Sequence, residues 1–222
     1  MYYNDPMFVL LDSILKPIHL FLISNKRFIL SVTTILYILL AITIFAGLPL
    51  YLLFPKLFGL FLSIGKKAGT LSLILYAASL TPGILKRIQK FPIIQVMFML
   101  FRREFGILMF LTMIIHSTYT QIYPYISLGQ SLLLGLSPRI IFGIIAEIIL
   151  VPLWITSNDW SVKTLKKGWN AIHKLTHVAL LFIVGHILLI NGEIATKLFT
   201  AGVLMLEVYS WIVLYKRNTE VK

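Results

Sequence analysis

The chain has 222 residues, of which 59% are hydrophobic and only 13% charged, and its mean hydropathy is +0.91. Soluble domains are roughly a quarter charged, so this composition excludes a water-soluble globular protein and fits one integral membrane domain. There is no cysteine, which excludes disulfides, covalent c-type haem attachment and iron–sulfur clusters; the net charge of +12 is what topology-setting loops facing anionic lipid supply, not a nucleic-acid footprint.

Residues 1–27 read as an N-terminal interfacial segment. Phe8, Leu11, Leu15, Ile18 and Leu22 recur at helical spacing, with Asp12, Lys16 and His19 between them, the pattern of a helix lying on the membrane and bent at Pro17. No small-residue cleavage site follows an apolar run here, so a signal peptide is not expected. Residues 28–216 form the membrane domain, with six apolar segments at 28–54, 68–85, 104–123, 139–156, 169–190 and 194–215, each near or above the ~18 residues needed to cross. Residues 91–101 (FPIIQVMFMLF) are apolar but too short to span and are expected at the interface. A short tail, 217–222, follows. The expected fold is an all-α membrane protein, a six-transmembrane helix bundle with an N-terminal interfacial helix.

Basic residues set the orientation. The N-terminus, the second-to-third loop, the fourth-to-fifth loop and the C-terminus carry 14 Lys and Arg, against 5 in the other three loops. Both termini are therefore expected on the cytoplasmic side of a cell (inner) membrane. Trp154, Trp160, Trp169, Tyr119 and Tyr123 sit near span ends, as interfacial aromatics do.

Histidines lie at membrane depth, where an ionisable group needs a partner. His116 is in the third span, and His173 and His186 are in the fifth. An iron porphyrin best accounts for several helix-borne imidazoles, because it takes axial His ligands and buries an apolar ring between helices. The third and fifth spans run the same way, outward. His116 lies ~18 Å and His186 roughly 25 Å along its span at 1.5 Å per residue, so both belong to the outer half and can face each other across a haem. Gly185 removes a side chain where a macrocycle would approach. Arg139, at the outer start of the fourth span, is placed to pair with haem propionates, with Lys197 as a weaker candidate.

His173 lies ~20 Å below His186 and points about 140° away from it. A second haem there would take His173 with an unusual or absent second ligand, Arg102 or Arg103 being nearest. Arg102 lies within about 40° of the His116 face of the third helix. His177 either replaces His173 as the lower ligand or bonds between helices. Glu147 and Glu207 are the other ionisable groups at depth, read as protonated carboxyls bonded to a neighbouring helix or as proton acceptors in quinol oxidation. His19 reads as an interfacial polar residue.

The segment FRREFGILMFLTMIIHSTY (101–119) and the pattern WNAIHKLTHVALLFIVGH (169–186) resemble the third and fifth helices of ferric-reductase-like transmembrane proteins. LYAASLTPG (75–83) and LWITSND (153–159) resemble the ends of their second and fourth. Order and spacing together carry the resemblance, over most of residues 68–190. Within the family, the MsrQ (YedZ) haem-binding membrane subunits, which serve a periplasmic methionine sulfoxide reductase, are the subgroup most similar in length. The resemblance implies a six-helix bundle with b-type haem between the third and fifth helices. It makes His116 and His186 the central ligand pair, His173 the additional histidine and Arg102 the basic residue below His116. His177 stands where the family more often has an aromatic residue. The third helix carries one histidine, unlike the two of NADPH-oxidase-type relatives.

No G-x-G-x-x-G follows a strand, and no flavin or nicotinamide domain is expected after the last span. The function expected is that of a membrane electron-transfer subunit of an oxidoreductase system. It would take electrons from quinol or a separate flavoprotein and pass them to an extracytoplasmic acceptor such as a methionine sulfoxide reductase. The cofactors expected are haem b, one or two, with quinone or FMN at the membrane as further candidates. Two alternatives stand beside this reading. One is a ferric or cupric reductase subunit; the other is a metal or haem transporter or assembly factor, with Glu147, His173 and His177 serving a metal path.

Overall fold

A computed structural model describes residues 6–127, 136–192 and 194–220, and all its regular structure is helical, with no strand among the described residues. Helix α1 (Pro6–Ser24) precedes six helices long and apolar enough to cross a membrane. These are α2 (Lys26–Leu53), α3 (Phe58–Ile88), α5 (Arg102–Ser117, continued to Ile126), α7 (Pro138–Ile155), α9 (Lys167–Leu189) and α10 (Ile194–Glu220). The chain is a multi-span membrane protein. Residues 91–101 form the short helix α4 (Pro92–Leu100), which packs against α3 and α1. The side chains of Phe8, Leu11 and Asp12 lie outside the described ones, so the amphipathic pattern of α1 is seen only from Ser13 onward.

Local chemistry sets the breaks between helices. Gln89 and Phe91 both hold φ at 55°, and this left-handed pair reverses the chain before Pro92 opens α4 at a position where its missing N–H costs nothing. The Asn158 side chain caps α8 (Asp159–Leu165) by accepting the Ser161 N–H at 2.8 Å. Lys166, at φ 48°, then turns the chain into α9. After α5 the helix widens into a π turn over Thr118–Ile122 before α6 (Tyr123–Ser127). The Tyr123 N–H reaches back five residues to the Thr118 carbonyl. The cause is Pro124, whose ring crowds the carbonyl four residues earlier and forces the turn to loosen.

The spans pair off: α3 makes its most extensive contact with α5, and α7 with α9. Tyr76, Leu80, Met109, Leu150, Ala179 and Leu180 are buried where the two pairs meet, with Val203 of α10 against them. The first span, α2, is held mainly by tyrosines. Tyr119 donates to the Thr43 carbonyl at 2.7 Å and Tyr123 to that of Ile44 at 3.2 Å, and their rings cluster with Tyr51 and Phe61. Lipid tails are as apolar as leucine, so such polar contacts and close packing, not hydrophobic exclusion, hold the spans together.

Candidate functional site

Between the two helix pairs, at the end carrying Lys66, Lys67 and Lys197, lies a cavity of about 940 Å³ with a mostly apolar wall. That is near the upper end of the ~300–1,000 Å³ typical of cofactor sites. His116 of α5 and His186 of α9 both line it. Their ring centres are 6.3 Å apart and their planes cross at 81°. A metal–imidazole nitrogen bond of about 2.0 Å, with the ring centre about 1.1 Å behind the nitrogen, puts two axial imidazole centres about 6.2 Å apart. The spacing therefore fits a single metal between the two rings.

The second nitrogen of each ring strengthens that fit. His116 Nδ1 lies 2.9 Å from the Gly65 carbonyl, and His186 Nδ1 lies 2.7 Å from the Arg139 carbonyl. A carbonyl only accepts, so each Nδ1 carries a proton, and in the neutral ring the lone pair is then on Nε2. This is the arrangement in which an imidazole is oriented and made more basic for a metal. An apolar cavity lined by two imidazoles and three lysines is a set of groups that would suit a haem.

Several details differ from the sequence expectation. The Arg139 side chain is exposed and does not line the cavity; its contribution is the backbone carbonyl under His186. Lys197 does line the cavity, joined by Lys66 and Lys67 from α3. Gly185 is not part of the wall. A Cβ there would come 2.6 Å from the Phe142 ring, so this glycine admits Phe142 of α7. Glu147 lines the cavity and accepts a hydrogen bond from Ser117 at 3.1 Å.

A second cavity, of about 430 Å³, lies toward the other end, with His173, Trp169, Arg102, Arg103 and Lys26 in its wall. His173 is stacked on Trp169 at 3.9 Å, and its Nε2 lies 3.1 Å from the Thr156 hydroxyl. That hydroxyl donates to the Pro152 carbonyl at 2.7 Å, so Nε2 is the donor toward Thr156. Arg102 donates through Nε to the Ser79 carbonyl at 3.2 Å. A haem seated here would have to draw His173 away from Thr156. Met109 and Leu150 line both cavities and separate them.

His177 belongs to neither cavity. Its Nδ1 lies 2.9 Å from Glu207 Oε1, and Arg87 Nη2 lies 2.6 Å from Glu207 Oε2. Trp211 donates to the same carboxylate at 2.7 Å, and Arg87 Nε to Ser210 at 2.8 Å. The Arg87 guanidinium also sits 4.6 Å from the centre of the Trp211 ring. Between the two readings of His177, this geometry favours the interhelical bond. The groups around Glu207, Arg87 above all, make it the acceptor of an ion pair. The cluster is not legible in the sequence, where its signals are Glu207 at depth in the last span and Arg87 just past the end of the second.

Residues 68–184 match the family described as ferric reductase like transmembrane component. The chain belongs to this family. The matched stretch includes His116 and His173 and stops two residues short of His186. Among similar proteins is the protein-methionine-sulfoxide reductase heme-binding subunit MsrQ of Agrobacterium fabrum, 34% identical over 104 residues, which are 44% of this chain and 46% of that protein. The subunit of the same name from Brucella anthropi is 36% identical over 90 residues, 37% of this chain and 39% of its own. That of Brucella ovis is 34% identical over 96 residues, 40% and 41% of the two chains. The chain thus matches less than half the length of these relatives. No solved structure matches it significantly.

Proposed function

We propose that the chain is a haem-binding membrane electron-transfer subunit, with His116 and His186 as axial ligands of a b-type haem. The observation that carries this reading is the 6.3 Å separation of the two imidazole centres across one cavity. A haem bound there supplies a one-electron carrier cycling between ferric and ferrous iron. The Gly65 and Arg139 carbonyls orient the ligands and raise their basicity. The apolar wall, including Leu73, Met113 and Ile183, keeps water from the ring faces. Lys66, Lys67 and Lys197 balance propionate charge.

The excess of Lys and Arg at the other end supports cytoplasmic termini and an extracytoplasmic haem cavity. Electrons would then enter past the cavity of His173, Arg102 and Trp169, from quinol or a flavoprotein, and leave toward an acceptor outside. The names of the similar relatives support a methionine sulfoxide reductase as that acceptor. The metal-transport alternative has less support. Glu147, His173 and His177, which it would use, are bonded respectively to Ser117, Thr156 and Glu207 at separate places in the bundle.

The test is to purify the protein, place it in lipid vesicles, and record visible spectra on adding a quinol, then a flavin reductase with its reductant, then dithionite. The expected result is a b-type haem reduced by at least one of the biological donors. Protein without haem absorbance after expression with ample haem would overturn the proposal.

A further inference from the structure

His116 and His186 are seated on two different helices by the same device. The carbonyl that accepts each Nδ1–H belongs to residue 65 on α3 or residue 139 on α7. Four residues beyond each carbonyl stands a glycine, Gly69 or Gly143. A Cβ on Gly69 would come 2.6 Å from His116 Nδ1, and one on Gly143 would come 2.9 Å from His186 Nδ1. Real Cβ atoms do not approach so closely. By contrast, a Cβ at Gly59, Gly106 or Gly202 would meet nothing within 4 Å.

Helix geometry explains the spacing. In an α-helix the carbonyl of residue i accepts the N–H of residue i+4 and keeps a second lone pair. The Cβ of residue i+4 tilts toward the helix N-terminus and so lies over that lone pair. Glycine at i+4 uncovers it, and a ring from the neighbouring helix can lie flat enough to reach it. The device occurs once in the α3–α5 pair and once in the α7–α9 pair, which are the two most extensive helix contacts.

We propose that Gly69 and Gly143 are positioning residues for axial ligation, forming sockets that hold each imidazole as its Nδ1–H tautomer, aim Nε2 into the cavity and set the ring planes crosswise. The proposal rests on the reading of His116 and His186 as haem ligands. Donation to a carbonyl makes each imidazole a stronger ligand and favours ferric iron, so filling either socket raises the midpoint potential. A glycine that served only helix packing would leave ligand basicity and ring orientation unchanged.

The test compares Gly69→Ala and Gly143→Ala with Gly202→Ala in the full chain. Each socket variant is expected to shift the midpoint potential upward and to move the largest g value of the ferric low-spin EPR signal, while Gly202→Ala matches wild type. Socket variants equal to wild type in both readouts would overturn the proposal. In haem-free protein, 15N shifts of His116 and His186 are expected to report the Nδ1–H tautomer, lost at His116 in Gly69→Ala and at His186 in Gly143→Ala. This second measurement separates the two failures: a wild type without low-spin haem sinks the functional reading, whereas unchanged 15N shifts sink the sockets. If Gly69→Ala does not accumulate, Gly69→Ala/His116→Ala is expected to accumulate like His116→Ala alone, because the imidazole it collides with is gone. An equal loss in both backgrounds would contradict the socket.

Discussion

Arg87, near the end of α3, and Glu207, midway along α10, form a buried ion pair at 2.6 Å, with side chains 12% and 5% exposed. The carboxylate is further held by Trp211 and lies beside His177, so one acidic group ties α3, α9 and α10 together. Removing one member of a buried pair leaves the other charge uncompensated, at a cost of about 3–5 kcal/mol. Glu207→Gln is therefore expected to lower the melting temperature in detergent sharply. Arg87→Met/Glu207→Leu is expected to recover most of the loss, which a thermal melt of the three proteins checks.

The lysines around the larger cavity and the exposed Arg139 side chain make a pair of opposite expectations. A positive charge near the iron favours its reduced form. Neutralising Lys66, Lys67 or Lys197 is therefore expected to lower the midpoint potential. An exposed ion pair of ~0.5–1 kcal/mol corresponds to about 20–40 mV at 59 mV per tenfold for one electron. Arg139→Gln keeps the carbonyl under His186 and is expected to leave the potential within a few millivolts of wild type. Redox titration of these variants decides between them.

His173 gives a third expectation. Its Nε2 is committed to Thr156 and its ring to Trp169, so any haem in the smaller cavity depends on taking His173 from Thr156. His173→Ala is expected to leave the signal of the His116–His186 haem in place, and to remove one haem per chain if wild type carries two. Haem-to-protein ratios by pyridine haemochrome measure this directly.

Tyr119 gives a fourth. Its hydroxyl bonds to the Thr43 carbonyl at 2.7 Å, one of the few polar ties of α2 to the bundle. Interhelical hydrogen bonds in membranes average about 0.6 kcal/mol. Tyr119→Phe is therefore expected to lower thermal stability slightly and to leave haem content unchanged.

Depth along a span was legible in the sequence; rotation about it was not. Hydropathy located the six spans, and counting along them put His116 and His186 at similar depth, where the structure places them facing one cavity. Residues 91–101 were correctly read as too short to cross. What failed depended on which neighbour a side chain meets. Gly185 admits Phe142 instead of a macrocycle, and Arg139 acts through its carbonyl because its side chain turns outward. Gly69 and Gly143 carry no signal in the sequence because a helical glycine in a membrane span has many uses, and only the partner helix reveals the imidazole beside it. The π turn was missed because its cause, Pro124, acts on the carbonyls before it.

The pairing of His116 with His186 is tested most directly by comparing the haem content and the oxidised and reduced absorption spectra of His116→Ala, His186→Ala and His177→Ala with wild type. Loss of the six-coordinate low-spin spectrum in the first two variants, with a wild-type spectrum in His177→Ala, is the predicted result. A wild-type spectrum in either His116→Ala or His186→Ala would contradict the account.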